Sequence, residues 1–326
     1  MPKSFSAAAR LARALAPTTL LTLALGTMGV FMPLRAAADT VISAGADKMI
    51  TIWQPDGTKV KSSDAQGGAI NVVVISPDGK SMASGGADKL IKIWSLPDLT
   101  CTKTLGPLDG AVNTLSYTPD GAKLISGDTD KKGIVWNVAD GKKLTTIPAH
   151  DGPVIKVLAV QDIIVTAGGD GKVKIWSSDG DMQFEIPTEH AGGLTAVSGN
   201  IAQQCVYTGG ADGKLKYWSQ AGTGDFDGQQ GSKVTALYTM PDGKTIVSGG
   251  ADGKIKFWDA DEHKLKTAVD GCPGGVLSIV SSPDGKLIFC GGADGKILVL
   301  NPDGTKAKTI DAGTSPVLVI VWAKAP

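Results

Sequence analysis

One segment recurs seven times along this chain, and this repetition limits the fold more than any other feature of the sequence. In its clearest copy, residues 248–258, an aspartate is followed six residues later by a tryptophan. The aspartates lie 40 to 42 residues apart, at Asp47, Asp88, Asp130, Asp170, Asp212, Asp252 and Asp294. A repeat of this length indicates an architecture in which one supersecondary unit packs on the next.

Each copy has the pattern of short β-strands separated by tight turns. The segment of residues 112–117 is short and contains β-branched side chains, as a strand does. The Pro-Asp-Gly order that follows it in residues 118–121 is typical of a turn. A second turn of the same kind follows the first tryptophan, at residues 54–57. Because no helical periodicity is present, the sequence predicts four short strands in each copy and an all-β fold.

These motifs resemble those of the WD40-repeat family, and the resemblance covers residues 39–326. Tryptophan follows the first six aspartates, at Trp53, Trp94, Trp136, Trp176, Trp218 and Trp258, and Leu300 replaces it in the seventh copy. Only Trp258-Asp259 is a literal Trp-Asp pair. The resemblance implies a single domain, an exported bacterial-type seven-bladed β-propeller with four strands in each blade.

The two ends of the repeat region are incomplete in a complementary way. Residues 40–46 match the second strand of a copy but have no first strand before them, whereas residues 316–322 match first strands such as residues 153–159. We therefore predict that the C-terminal strand joins the N-terminal blade and closes the ring. Closure removes the open sheet edges that promote aggregation.

Residues 1–38 differ in composition from the rest of the chain. Lys3, Arg10 and Arg13 precede an apolar stretch from residue 20 to residue 31, and an alanine run ends at Ala38. This order predicts a secretory signal peptide cleaved after Ala38, and therefore a periplasmic or extracellular protein. The apolar stretch is short for a membrane span, so we expect no membrane-spanning segment after cleavage; an uncleaved anchor is the alternative.

The charge of residues 39–326 argues against nucleic acid as a partner. This part of the chain contains 28 lysines, no arginine and 32 acidic residues, which gives a net charge of −4. Bidentate recognition of phosphate and guanine relies heavily on arginine. We therefore expect no nucleic-acid binding.

Two copies combine a hydroxyl residue, a histidine and an aspartate, as a hydrolase triad does. The two sets, each with its tryptophan, are His150, Thr166, Asp170 and Trp176, and His190, Thr208, Asp212 and Trp218. The WD40 resemblance implies instead that each set is a hydrogen-bonded tetrad that stabilises its blade. We therefore predict structural tetrads and no catalytic residue.

The seventh copy departs from the family pattern, with Cys272 in the histidine position and Cys290 in the hydroxyl position. The resemblance implies that these two positions are in contact. In an exported protein, two such cysteines form a candidate disulfide, and two buried free thiols are the alternative. No His/Cys cluster has zinc spacing, and we expect no metal and no cofactor.

A lysine follows two residues after five of the aspartates, at Lys132, Lys172, Lys214, Lys254 and Lys296. In a propeller these lysines lie near one face and form a candidate binding arc for an acidic partner. The alternative is a row of solvated lysines offset by neighbouring aspartates, and we favour this alternative.

The sequence favours binding over catalysis. Our first hypothesis is a non-catalytic scaffold of the cell envelope that binds other proteins of unknown identity. A cofactor-dependent, quinoprotein-like envelope enzyme is one alternative, because the Asp-Gly-Lys-x-x-x-Trp repeat is faintly similar to the tryptophan-containing motif of quinone-dependent dehydrogenases. An envelope-assembly factor is another. Fold alone does not decide among them, because propellers host many functions.

Overall fold

The computed structural model describes residues 39–160, 163–200, 205–219 and 222–324 of the chain. Within these ranges the chain forms 28 β-strands, arranged as seven antiparallel four-stranded sheets. This architecture confirms the predicted seven-bladed β-propeller. The predicted signal peptide, residues 1–38, lies outside the described residues and stays a prediction. No helix in the described ranges is long and apolar enough to cross a membrane.

The strands are numbered in chain order, and each sheet is one blade. Blade one contains β1 (Thr40–Gly45), β2 (Met49–Trp53), β3 (Lys59–Asp64) and β28 (Val317–Ala323). Blade two contains β4 (Ile70–Ile75), β5 (Ser81–Gly86), β6 (Ile91–Ser95) and β7 (Thr100–Leu105). Blade three contains β8 (Val112–Tyr117), β9 (Lys123–Asp128), β10 (Gly133–Asn137) and β11 (Lys143–Ile147). Blade four contains β12 (Val154–Val160), β13 (Ile163–Gly168), β14 (Lys172–Ser177) and β15 (Met182–Pro187).

The remaining three blades follow the same order from the centre of the ring outward. Blade five contains β16 (Leu194–Asn200), β17 (Cys205–Gly210), β18 (Leu215–Ser219) and β19 (Gly222–Asp225). Blade six contains β20 (Val234–Thr239), β21 (Thr245–Gly250), β22 (Lys254–Asp259) and β23 (Lys264–Asp270). Blade seven contains β24 (Val276–Ser281), β25 (Ile288–Gly292), β26 (Lys296–Leu300) and β27 (Lys306–Asp311).

The hydrophobic core lies between neighbouring blades. One cluster joins Ile91 and Ile93 of blade two to Leu115 and Leu124 of blade three, and comparable clusters fill the other spaces between blades. Second strands are almost wholly buried because both of their faces contact a neighbouring blade, whereas fourth strands are largely exposed. Burial of apolar side chains between blades is therefore the main force that stabilises the ring.

The ring closes as the sequence predicted. Strand β28 pairs antiparallel with β1, with Thr40 opposite Ala323 and Ile42 opposite Val321. Strands from the two ends of the repeat region thus share one blade, and β28 is the first strand of that blade.

The two faces of the ring follow from the strand order. The near face carries the turns between second and third strands, such as residues 45–48, and therefore the repeated aspartates. The far face carries the turns between first and second strands, such as residues 76–79. The first strands surround a central channel that connects the faces.

In blades two to seven, the first strand contains a β-bulge at its end towards the near face. In four of these blades the bulged residue is asparagine or threonine, and its side chain donates to a backbone carbonyl of the next blade. For example, Asn71 Nδ2 donates to Val112 O at 3.0 Å, and Asn113 Nδ2 donates to Val154 O at 3.2 Å. In blade four the bulged residue is Ile155, which has no polar group for this contact.

Candidate functional site

Blade four brings together the four side chains of its predicted tetrad. His150 Nδ1 lies 3.0 Å from Asp170 Oδ1, and His150 Nε2 lies 2.8 Å from Thr166 Oγ1. Trp176 Nε1 donates to the same Thr166 oxygen at 2.9 Å. Because a carboxylate only accepts, Nδ1 donates to Asp170, and the neutral ring then accepts the Thr166 proton at Nε2.

The direction of these bonds resembles a catalytic triad, but burial and the indole exclude nucleophilic chemistry. Thr166 is fully buried, and its hydroxyl is already bonded to His150 and accepts the Trp176 N–H. The His150 side chain is also fully buried. A substrate carbonyl therefore has no path to the hydroxyl, and the arrangement holds one blade together.

Blade five repeats this geometry. His190 Nδ1 lies 3.1 Å from Asp212 Oδ1, His190 Nε2 lies 2.9 Å from Thr208 Oγ1, and Trp218 Nε1 donates to that oxygen at 3.2 Å. Thr208 is fully buried as well.

Burial sets the protonation of both histidines. Burial lowers the pKa of His150 and of His190, and it outweighs the opposing effects of Asp170 and Asp212. Burial also raises the pKa of Asp170, but backbone N–H donors and His150 outweigh this effect, so the pKa lies below its ordinary value. Each pair is thus a neutral imidazole that donates to a carboxylate.

Glutamine replaces histidine in blades two and six, and the two replacements differ. In blade six, Gln230 Oε1 accepts from Ser248 Oγ at 2.6 Å, and Trp258 Nε1 donates to the same hydroxyl at 2.7 Å. In blade two, Gln66 Nε2 donates to Asp88 Oδ1 at 3.0 Å, while Gln66 Oε1 is buried and has no partner among the described residues. Blade six therefore keeps the bond from the hydroxyl to glutamine, but its Gln230 Nε2 donates to Lys254 O and not to the aspartate. Blade two keeps the bond from glutamine to the aspartate, and Trp94 Nε1 still donates to Ser84 Oγ.

Blade three uses a different aspartate, which sequence reasoning missed. Asp128 is fully buried, and its Oδ1 accepts the Lys132 N–H at 3.0 Å, a bond that the repeated aspartate makes in blades four to seven. Asp130, the aspartate of the repeat, instead pairs with the Lys132 ammonium at 3.0 Å. Burial raises the pKa of Asp128, and its Oδ2 has no partner in the described part of the chain.

Blade seven places Cys272 and Cys290 next to each other. Both are buried free thiols in the structure, and Cys272 Sγ lies 3.7 Å from Cys290 O. Burial raises the pKa of Cys272 to about 11 and raises that of Cys290 as well. The free thiols match the alternative interpretation of this pair, and the disulfide stays a prediction.

The five lysines of the predicted arc do not form a uniform positive surface. Lys132 pairs with Asp109 at 2.7 Å, Lys172 with Glu185 at 2.8 Å, and Lys214 with Asp225 at 3.5 Å. The ammonium groups of Lys254 and Lys296 have no ion-pair partner among the described residues. Neighbouring carboxylates therefore neutralise most of the arc, and only its blade six and blade seven end is unpaired.

The far end of the channel is an apolar surface that the sequence did not reveal. It opens into a depression of about 600 Å³. We call this depression the far mouth; its main apolar and aromatic residues are Val74, Ile75, Tyr117, Tyr238, Val280, Val321 and Trp322. These residues lie at the ends of first strands of five blades, so no local motif marks them. No group of three or more His, Cys, Asp or Glu side chains suited to a metal ion occurs in the described ranges.

Profile comparison agrees with the repeat pattern. The WD domain, G-beta repeat profile of the WD40 family matches residues 57–95, 99–137, 141–177, 183–219, 222–259 and 263–301. Each match ends near the third strand of a blade. The unmatched ends, residues 39–56 and 302–326, supply most of blade one.

Similarity to curated proteins is confined to short segments. The chain is 39% identical over 57 residues to small ribosomal subunit protein RACK1 of Neurospora crassa, which is 17% of this chain and 18% of that protein. The same values hold for MST50-interacting protein 11 of Pyricularia oryzae. Cilia- and flagella-associated protein 52 of Chlamydomonas reinhardtii is 32% identical over 63 residues, 19% of this chain and 10% of that protein. The chain thus covers less than a fifth of the length of each of these relatives.

The fold is similar to that of a designed protein. The crystal structure of the computationally designed protein Ika8 superimposes with a TM-score of 0.68 at 23% identity, covering 90% of this chain and 95% of that one. At this identity the likeness concerns the fold alone. The profile matches cover well over half of the sequence. The chain belongs to the WD40-repeat family.

Proposed function

We propose that this protein is a non-catalytic scaffold of the cell envelope, and that it binds another protein at the far mouth. The observation that carries this proposal is the burial of both triad-like sets. Thr166 and Thr208 are fully buried and are already bonded to histidine and tryptophan. The side chains that most resemble catalytic machinery therefore stabilise blades, and the functional surface lies on a face of the ring.

The far mouth has the residue types that dominate protein interfaces. Tyrosine and tryptophan supply much of the binding energy at such interfaces, and the half-buried Tyr238 and Trp322 line this mouth beside the buried Tyr117. On the near face, Lys254 and Lys296 are the alternative contact, because three of the five lysines there are paired.

Relatives support a binding role in general terms. By its name, the Pyricularia oryzae relative is a protein that interacts with another protein. The similarity spans only 17% of this chain, so it supports the class of function and not a particular partner.

Crosslinking in the native cell tests the proposal. The protein is purified after mild amine crosslinking, and its partners and crosslinked lysines are identified by mass spectrometry. We expect a reproducible protein partner attached through Lys324 or Lys286, which lie beside the far mouth and the adjoining groove. A lone protein that carries a chromophore or shows turnover would favour the quinoprotein-like enzyme and overturn the proposal.

Two substitutions in strand β24 make this test specific. Val280→Glu puts a charge at the far mouth, and Leu277→Glu puts the same charge at the near end of the channel. We expect the first variant to lose the partner and the second to retain it. The opposite pattern, together with crosslinks at Lys254 and Lys296, would show that the partner binds at the near face.

The envelope location rests on residues 1–38. Their basic start, apolar stretch and alanine run support export. The protein recovered from cell fractions is then expected to begin at Asp39, which N-terminal sequencing and intact mass measure. An intact N-terminus on a protein in the cytoplasmic fraction would remove this part of the proposal. An envelope-assembly role, the second alternative, needs the same surface tests.

A further inference from the structure

One charged side chain lies in the wall of the central channel. Lys156 belongs to β12, the first strand of blade four, and its side chain lines the channel. At the equivalent position, the other six blades have neutral residues: Val72, Thr114, Ala196, Ala236, Ser278 and Val319. Lysine is therefore an exception at a position where the fold needs no charge.

In two of these blades the residue at this position is polar, and its side chain bonds to the backbone of the next blade. Thr114 Oγ1 accepts the backbone N–H of Val157 at 3.1 Å, and Ser278 Oγ accepts that of Ile320 at 2.9 Å. An ammonium group has no lone pair and cannot make this bond. Lys156 thus contributes nothing of this kind to the joint between blades four and five.

Other lysines that are partly buried in the ring have partners. Lys92 Nζ donates to Ala65 O at 2.7 Å, and Lys174 and Lys216 lie 3.5 Å from the carboxylates of Glu185 and Asp225. Lys156 has neither a hydrogen bond nor an ion pair among the described residues, and no aspartate or glutamate lines the channel. Burial lowers the pKa of Lys156, and no nearby charge opposes this effect. Lys156 is half-buried in the channel wall, and an ammonium group partly withdrawn from water without a counter-charge is unfavourable.

The channel has the size and lining of a site for a small organic molecule. Its volume is about 450 Å³, within the usual range for such sites. Apart from Lys156, polar and aliphatic groups share the wall about equally, and Val72, Val197, Leu237, Ile279 and Val319 are among its aliphatic residues. Asparagine and threonine lie nearer one end. A single cation beside aliphatic side chains fits a ligand with one anionic group and an apolar body.

We propose that the central channel binds a small carboxylic acid with an apolar body, whose carboxylate pairs with the Lys156 ammonium. The carboxylate supplies the counter-charge that the protein lacks, and the apolar part packs along the aliphatic wall. This site adjoins the far mouth, with which it shares Val74, Tyr238, Val280 and Val321, but the proposal does not depend on protein binding there.

Calorimetric titration of the full protein with octanoate tests the proposal. We expect octanoate to bind at least tenfold more tightly than 1-octanol, which has the same chain and no charge, and more tightly than inorganic phosphate, which has charge and no apolar body. Phosphate binding as tight as that of octanoate would show that the site does not recognise an apolar body, and would contradict the proposal. Absence of octanoate binding at millimolar concentration would overturn the site itself.

A substitution of Lys156 tests whether this residue binds the carboxylate. Lys156→Val introduces the residue that blades one and two carry at this position, so the variant is expected to fold. It should bind octanoate at least tenfold more weakly than the natural protein, with 1-octanol binding unchanged. Lys254→Met removes an exposed near-face lysine and should change neither affinity. Equal octanoate affinity in Lys156→Val and the natural protein would contradict the proposal.

Amine labelling supplies a second measurement. Limited acetylation followed by peptide mapping gives the modification rate of Lys156, and Lys254 in the same sample is an internal control. We expect octanoate to slow modification of Lys156 and to leave the rate at Lys254 unchanged. Equal rates at Lys156 with and without octanoate would count against the channel as the binding site.

Discussion

Gly168 lies against the ring of His150, so closely that a Cβ on the glycine would overlap the imidazole. In blade three the two equivalent residues are Asp128 and Leu108. Loss of the histidine ring thus leaves room for a side chain in place of the glycine, and Asp128 accepts the Lys132 N–H there. The two substitutions in blade three are complementary.

This complementarity predicts the effect of replacing Asp128 by asparagine. Burial raises the pKa of Asp128, so its stabilising form is the protonated one, and stability is lost as the pH rises through that pKa. Asp128→Asn keeps the acceptor for Lys132 and removes the buried charge. We expect the variant to be more stable than the natural protein at pH 7, and the gain to shrink towards pH 3, as thermal unfolding would measure. Asp98→Asn, at an exposed position, is the control, and an equal gain there would refute the explanation.

The hydroxyl of Thr166 is expected to dominate the stability of the blade four network. Thr166→Val leaves the Trp176 N–H and His150 Nε2 buried without a partner, and should lower the free energy of unfolding by about 2–4 kcal/mol. Thr166→Ser keeps the hydroxyl, and serine serves in this position in blade six. We expect this control to change the free energy by less than about 1 kcal/mol. Equal losses in both variants, measured by denaturant unfolding, would mean that packing and not hydrogen bonding is responsible.

The two buried histidines predict how stability depends on pH. Burial lowers the pKa of His150 and His190 in the folded protein, so the unfolded chain binds more protons once the pH falls below about 6.5. The free energy of unfolding should therefore decrease as the pH falls from 7 to 5. Asp170 and Asp212 have lowered pKa values and stay charged throughout this range, so they do not contribute to the decrease.

The double variant His150→Gln/His190→Gln separates this effect from other titrations. Glutamine accepts from the hydroxyl in blade six, as Gln230 does from Ser248, so the variant is expected to fold. Its melting temperature should fall less than that of the natural protein between pH 7 and pH 5. His263, whose pKa burial also lowers, is present in both proteins and cancels in the comparison. Parallel pH profiles would contradict the assignment.

Contact between Cys272 and Cys290 has a consequence if the protein is exported. In an oxidising compartment, we expect the two thiols to be joined in protein taken from its native source. Peptide mapping without reduction should recover a linked pair, and Cys101, which is exposed, should react with an alkylating reagent in the folded protein. Recovery of both Cys272 and Cys290 as unmodified thiols would show that the pair is the buried free form.

The repeat made the fold predictable because one spacing recurs seven times. The phase of the aspartates and tryptophans indicates how many blades exist, and the missing first strand before Thr40 indicates where the C-terminal strand pairs. The tetrads follow from the same phase, because threonine and tryptophan stand at fixed distances from the aspartate and histidine precedes it by 20 or 22 residues. Geometry of this kind depends on local sequence, which is why it could be predicted.

The functional surfaces are less predictable because they combine single residues from different blades. Trp322 and Tyr117 meet at the far mouth although about 200 residues separate them, and neither belongs to a motif. Lys156 looks like an ordinary strand residue until the ring places it in the channel wall.

Thermal unfolding of a chain that lacks residues 314–326 tests the closed ring most directly. This deletion removes β28 and leaves β1 without its partner, together with the apolar contacts of Val317 and Ile320. We predict that the shortened protein has no cooperative unfolding transition, and that a peptide of residues 314–326 added in excess restores one. A shortened protein that melts as the full chain does would contradict closure of the ring by its C-terminal strand.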